Sequence, residues 1–285
     1  MKKIILKDGT IKNLGEKTEF MGIINVTPDS FFENSRAFDI ETAVNKAALF
    51  IEQGAFILDI GGESTRPGAE KVDVTEEVNR VIPVIQKIRK FDKNILISID
   101  TRNSETARQA ISAGADIIND ISGLNYDSKM IDVVIECNVP VILMHMSGSP
   151  ENMQNKPYYE NVVQDVYNYL FQQIEFAKSR GINEHKIIID LGIGFGKTKE
   201  HNIELLRNID FFDTLGYPHL LAGSRKTFIG KILEKDSPND RLFGTIGLTC
   251  YGIMKNIEII ATGKYLPTTK IDNTYVAKQL NITEH

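Results

Sequence analysis

Asp100, Asn119 and Asp190 each end a short apolar run, in Ile-Ser-Ile-Asp (97–100), Ile-Ile-Asn (117–119) and Ile-Ile-Ile-Asp (187–190). Two carboxylates and a carboxamide offer several acceptors and one amide donor. That set suits a flat heterocycle with adjacent N–H groups, such as a 2-amino-4-oxo pyrimidine edge, because a carboxylate accepts two such protons side by side. Lys226, in Ser224-Arg225-Lys226, suits a ring carbonyl or nitrogen, and Arg225 suits an anionic group. Asn25, Asp59, Gly61, Asp120 and His145 end other apolar runs in the same way. Any one of these aspartates alone reads as a helix cap. Three together at run ends read as one converging mouth.

Two segments after such runs carry further signals. The first is Asn25-Val26-Thr27-Pro28-Asp29-Ser30-Phe31-Phe32, and the second is Gly61-Gly62-Glu63-Ser64-Thr65-Arg66-Pro67-Gly68. Both mix Gly or Pro with hydroxyls and a charge, as loops that close over a ligand and exclude water do. Gly192-Ile193-Gly194-Phe195-Gly196-Lys197-Thr198 looks like a nucleotide loop but fails on spacing, since Leu191 stands where a phosphate-binding loop needs glycine. It reads as a tight turn that lets backbone approach a ligand. Phe195 either stacks on a flat ring or packs beneath that turn.

Elements that position these residues follow from the pattern. Apolar runs rich in Ile and Val occupy 21–26, 55–60, 95–99, 116–119, 139–144, 186–190, 219–222 and 257–261. Runs of this kind, buried on both faces, are the signature of parallel strands. Helical periodicity fills the intervals, with Ile40, Val44, Ala47, Ala48 and Ile51 on one face and Val78, Val81, Ile82, Ile85 and Ile88 on another. Val162, Val166, Leu170, Ile174 and Ala177 form a third such stripe, which stops at Gly181. Asp73 followed by Glu76 predicts a capping box. Eight strand–helix alternations predict an α/β fold, a (β/α)₈ TIM barrel, whose chemistry belongs at the C-terminal strand ends. Residues 1–18, with Lys7-Asp8-Gly9-Thr10 at their centre, predict a β-hairpin that closes the barrel bottom. No linker or repeat interrupts residues 1–285, which predicts a single domain.

Composition narrows the class. The chain has 285 residues, 33 Lys+Arg against 38 Asp+Glu, and a net charge of −5. That balance points away from nucleic acid, which needs a basic patch. No apolar run reaches the ~18 residues of a membrane span. The apolar stretch after Met1–Lys3 is too short for a secretory leader, so the expected compartment is the cytoplasm. Cys137 and Cys250 form no metal-type pair and read as reduced core residues, and the five histidines form no zinc motif.

Seven stretches together resemble the dihydropteroate synthases, folate-pathway enzymes that sulfonamides inhibit. They are MGIINVTPDSFF (21–32), LDIGGESTRPGAE (58–70), ISIDT (97–101), IINDISG (117–123), VILMHMSGSPENMQ (141–154), DLGIGFGKT (190–198) and SRK (224–226), in family order over residues 20–230. The resemblance implies condensation of 6-hydroxymethyl-7,8-dihydropterin diphosphate with p-aminobenzoate, giving dihydropteroate and pyrophosphate. It implies a pterin pocket of Asp100, Asn119, Asp190, Lys226, Met144 and Phe195. It implies p-aminobenzoate contacts from Thr65, Arg66, Pro67, Ser224 and Phe31, and a diphosphate site at Asn25 and Thr65, with Asn25 also holding Mg²⁺. Asp100, Lys226 and Asn25 are then the catalytic set. The family also implies a homodimer formed through C-terminal helices.

The last strand departs from this pattern. The family usually reads Arg-Val-His-Asp there, with Arg and His on the diphosphate, whereas this chain has Ala261 and Gly263 at those positions in Ile259-Ile260-Ala261-Thr262-Gly263-Lys264. Thr262, Lys264 and backbone N–H groups are the available substitutes, at the place where barrels commonly bind phosphate. The departure keeps two alternatives open: a non-catalytic or altered pterin-binding paralogue, and a methyltetrahydrofolate corrinoid methyltransferase, which needs no diphosphate ligands.

Overall fold

A computed structural model of the chain describes residues 2–27, 35–64, 71–150, 153 and 157–263. Eight parallel strands close into a barrel: β3 (Glu19–Asn25), β4 (Ile57–Gly61), β5 (Leu96–Asp100), β6 (Ile117–Asp120), β7 (Val141–Met144), β8 (Ile187–Asp190), β9 (His219–Ala222) and β10 (Ile259–Thr262). Each neighbours its sequence successor, and β10 pairs with β3 to complete the ring. The eight runs expected from the sequence all become barrel strands, with ends shifted by up to two residues.

Helices fill the connections: α1 (Ser35–Glu52), α2 (Val74–Phe91), α3 (Ser104–Ala113), α4 (Met130–Cys137), α5 (Val162–Ser179), α6 (Lys199–Arg207), α7 (Thr227–Leu233) and α8 (Leu242–Met254). None of the described helices is long and apolar enough to cross a membrane. At the start of α2 the Asp73 side chain accepts from the Thr75 N–H at 2.8 Å and caps the helix.

Strand alternation divides the core in two. Outward residues such as Ile24, Leu58, Ile99, Leu143 and Ile189 pack against the helices. Inward residues Met21, Ile57, Leu96, Ile117, Ile142, Ile188, Leu220 and Ile259 fill the lower barrel. Each fully buried side chain of this kind contributes about 1.5–3 kcal/mol relative to exposure. Below them lies the expected hairpin, β1 (Lys2–Ile5) antiparallel to β2 (Ile11–Leu14), whose Ile4 and Leu14 join the inner core. Lys186 fastens it, donating to the carbonyls of Ile5 at 3.1 Å, Leu6 at 3.3 Å and Asn138 at 2.7 Å. The lower end is therefore a packed plug, and a ligand has only the upper end to enter.

Both cysteines are free, as expected, but they are not core residues: Cys137 is half-buried and Cys250 is exposed on α8. The helix pattern around Cys250 is apolar because that face of α8 carries Phe243, Ile246 and Met254 outward.

Candidate active site

The inward-facing residues two and, on β4 and β5, four places above the apolar layer lead up to the mouth. Ile57 is followed by Asp59 and Gly61, Leu96 by Ser98 and Asp100, Ile117 by Asn119, Ile142 by Met144, and Ile188 by Asp190. Register sets their order around the ring: Asn25 lies beside Gly61, Gly61 beside Asp100, Asp100 beside Asn119, and Met144 beside Asp190. Glycine at position 61 keeps the floor open. A Cβ there would stand 3.5 Å from the Asp100 carboxylate and 3.6 Å from Asn25 Oδ1, filling the gap between them.

The structure brings Asp100, Asn119, Asp190, Lys226, Met144 and Phe195 to this end of the barrel. No described residue hydrogen-bonds to the Asp100 carboxyl. Burial holds its pKa well above the carboxylate range, and the nearby charges of Asp59, Glu77, Asp120 and Glu63 add to the effect. Asp190 accepts the Gly192 N–H on Oδ1 at 2.8 Å, so it shapes the turn after β8 with one oxygen and keeps a second. Burial raises its pKa too, opposed by the charge of Lys226. Met144 and Phe195 are buried with Ile121 and Met153 in a small apolar cluster. Phe195 both packs under the glycine turn and carries the Lys226 ammonium 4.3 Å from its ring centroid.

Lys226 donates to the Ile193 carbonyl at 2.6 Å, which ties the residue after β9 to the turn after β8. Burial pulls its pKa down to about 8, against the opposing charges of Asp190 and Asp100. The ammonium is therefore the majority form only below that pH.

Several residues take roles that the sequence does not assign to them. Asp59 lies one layer beneath Gly61 and Asp100, where it accepts Ser98 Oγ–H at 2.6 Å and the Asn119 amide at 3.2 and 3.3 Å; burial lifts its pKa to about 6. The i, i+2 spacing from Ile57 is the signal that marks it. Lys197 is buried against His145 Nδ1 at 2.9 Å and the carbonyls of Gly192 and Phe195, both at 3.0 Å. Burial lowers its pKa to about 7, and burial beside Lys197 keeps His145 neutral. The turn it fastens lies hard against β7, since a side chain at Gly192 would run into the His145 carbonyl. The Gly-Lys-Thr sequence is thus a structural latch.

Other residues take different places from those expected. Asp120 is spent on its own loop, accepting Ser122 N at 2.8 Å, Ser122 Oγ at 2.6 Å and Leu124 N at 2.9 Å. Arg225 donates to Asn239 at 3.1 Å, and its backbone N–H donates to Thr245 Oγ1, so its guanidinium serves the α7–α8 connection rather than an anion at the mouth. Thr262 shares the helix-facing side with Ile260, because side chains alternate along β10 and Ala261 takes the inner side. It is therefore not a mouth-facing diphosphate ligand. Ser224 stands at the mouth, accepting the Gly263 N–H at 3.4 Å. Phe31, Thr65, Arg66, Pro67 and Lys264 lie outside the described residues. Ala261 is buried, and a Cβ at Gly263 would meet open space, so β10 brings no charged side chain to the mouth among the described residues.

An eight-stranded parallel barrel with an acceptor-lined mouth, a lysine and an aromatic ring is the frame of a pterin-binding enzyme, and the family model described as "Pterin binding enzyme" matches residues 21–262. The dihydropteroate synthase of Synechocystis sp. is 43% identical over 251 residues, spanning 88% of this chain and 86% of that protein. The Xanthomonas albilineans dihydropteroate synthase solved with 4-aminobenzoic acid superposes with a TM-score of 0.86 at 35% identity, covering 97% of both chains. The same enzyme solved with 7,8-dihydropteroate gives a TM-score of 0.83 at 32% identity over 97% of this chain and 98% of that one. This chain belongs to the dihydropteroate synthase family.

Proposed function

We propose that this protein joins 6-hydroxymethyl-7,8-dihydropterin diphosphate to p-aminobenzoate, giving 7,8-dihydropteroate and pyrophosphate, with residues 1–285 acting as one pterin-binding domain. The observation that carries the site assignment is the convergence of Asp100, Asn119 and Asp190 on one face of three strands, beside Lys226 on Phe195. Detection of 7,8-dihydropteroate by mass spectrometry after incubation with both substrates tests it; unchanged substrates in the presence of folded protein would refute it.

In this reading Asp190 and Asp100 accept ring N–H groups and Lys226 donates to a ring acceptor. The C–O bond to the diphosphate breaks first, and the electron-rich dihydropterin delocalises the methylene cation. In its ionised form Asp100 stabilises that cation electrostatically. The neutral arylamine attacks it, held by Ser224 and by Phe31, Thr65, Arg66 and Pro67. No side-chain nucleophile is needed.

The exposed Asn25 amide oxygen at the end of β3 is a hard donor of the kind Mg²⁺ takes once or twice from protein, the rest coming from phosphate and water. Bound there, Mg²⁺ supplies charge neutralisation for the leaving group. Of the expected diphosphate residues after β10, Lys264 remains a candidate, since Thr262 faces the helices.

The Lys226 pKa gives a pH prediction. The ammonium is the donor and burial lowers its pKa to about 8, so kcat/KM for the pterin diphosphate is expected to fall as pH rises through 8. Lys226→Arg keeps its charge beyond pH 12 and should show lower but flat kcat/KM from pH 7 to about 9.5. A wild-type profile flat to pH 10 would remove Lys226 from this role.

The proposed setting is the cytoplasm, consistent with two free cysteines. The proposed assembly is a homodimer through α8, whose Phe243 and Met254 are 81% and 79% exposed among the described residues, with Ile246 and Cys250 between them. An apolar stripe of this length on a helix marks a protein contact. Light scattering should give twice the chain mass for wild type and a monomer for Phe243→Glu.

The unoccupied charge positions on β10 favour one second reading, a pterin binder without turnover. Tight binding of the pterin diphosphate in titration calorimetry with no dihydropteroate formed would select it.

A further inference from the structure

We propose that Asp59 is a positioning residue that fixes the Asn119 side-chain amide, so that the pocket meets the pterin with the Asn119 carbonyl oxygen as a third acceptor. The inference rests on the reading of Asn119 as a pterin contact. Asparagine can present either its oxygen or its nitrogen, and a 180° turn of the amide exchanges the two. Here the choice is made from below. Asn119 Nδ2 lies 3.3 Å from Asp59 Oδ1 and 3.2 Å from Oδ2, and Ser98 Oγ donates to the same Oδ1 at 2.6 Å. Two donors converge on one buried carboxylate, which is the arrangement an ionised group needs. The reversed amide would place a carbonyl oxygen against that carboxylate and leave the Nδ2 protons without it.

With nitrogen held downward, Oδ1 is the amide atom left for a ligand, and no described residue donates to it. Asp59 itself does not serve as a contact, because it is buried one register step below Gly61 and Asp100 and is occupied by Ser98 and Asn119. The consequence is a specificity rule. Asp100, Asp190 and Asn119 all offer acceptors, and Lys226 alone offers a donor, so a ring edge rich in N–H groups is selected over its oxo counterpart.

A swap of the pair tests the orientation. Binding of 6-hydroxymethyl-7,8-dihydropterin is measured by calorimetry, with thermal unfolding recorded for every variant. Asn119→Asp sets two carboxylates together and is expected to weaken binding ~100-fold, the scale of losing charge-assisted contacts. Adding Asp59→Asn restores a donor below and an acceptor above, and the double variant is expected to recover to within ~10-fold of wild type. Its KM for the pterin diphosphate should recover in step, while kcat at saturation changes far less. A double variant that binds no better than Asn119→Asp overturns the proposal. Unchanged binding in Asn119→Asp would instead show that Asn119 does not touch the pterin, overturning the reading on which the proposal rests.

A second measurement needs no stable variant. In the wild-type protein the Asn119 side-chain amide protons should exchange slowly with solvent and stay protected when pterin binds. Exchange as fast as that of an exposed asparagine would overturn the proposal independently.

Discussion

Asp100→Asn is expected to lower kcat/KM by about 10²–10⁴-fold while leaving the fold intact. The substitution replaces a carboxylate by an amide whose NH₂ confronts a ring N–H. One or two charge-assisted hydrogen bonds are lost, at about 1.5–3 kcal/mol each, and each 1.36 kcal/mol is a factor of about ten. The charge beside the developing cation is lost as well, so kcat falls along with affinity. Stability should move the other way. Burial and neighbouring carboxylates raise the Asp100 pKa in the folded protein, so the native state holds its proton to higher pH than the unfolded chain does. That contribution is complete below the unfolded pKa and is lost as pH rises through the folded one. At pH 8 the asparagine variant escapes this loss, and its thermal midpoint should equal or exceed that of wild type. Unchanged kcat would remove Asp100 from the site, and an unfolded variant would show a structural role that the described residues, none of which hydrogen-bonds to its carboxyl, do not suggest.

The second large effect concerns β10. Gly263→His is expected to lower KM for the pterin diphosphate about tenfold, with KM for p-aminobenzoate nearly unchanged. A new imidazole donor to an anion contributes about 1.5–3 kcal/mol when charged, and less for the neutral ring. The position accepts the change sterically, because a Cβ on Gly263 meets no atom of the described residues within 4 Å. Ala261 is the harder place, since it is buried in the inner core and an arginine there must grow upward past packed neighbours. Steady-state kinetics against each substrate separates the outcomes. An unaltered KM would mean that the diphosphate does not lie against β10 in this protein.

Strand order and the principal acceptors were legible because each rests on local pattern. Eight Ile/Val-rich runs alternating with helical stripes admit few architectures, and Asp100, Asn119 and Asp190 are conspicuous at run ends. What escaped depends on closure of the ring. Asp59 meets Asn119, 60 residues away, only when β4, β5 and β6 stand side by side. Lys197 looks like part of a phosphate loop until its ammonium is seen capped by carbonyls and by the histidine that follows β7. The charge of Arg225 suits an anion, but its positive φ of 55° and the Asn239 contact turn it outward. Thr262 was within reach of sequence reasoning, since period-two alternation from Ile260 already places it on the helix side. The exposed face of α8 inverted the usual logic, because apolar periodicity marks a covered surface without saying what covers it.

Pyrophosphate release by the purified protein, at saturating pterin diphosphate and Mg²⁺, with and without p-aminobenzoate, tests the central claim most directly. The account predicts release that depends on p-aminobenzoate, in stoichiometric step with dihydropteroate. Folded protein that binds the pterin diphosphate and releases no pyrophosphate under either condition would contradict it.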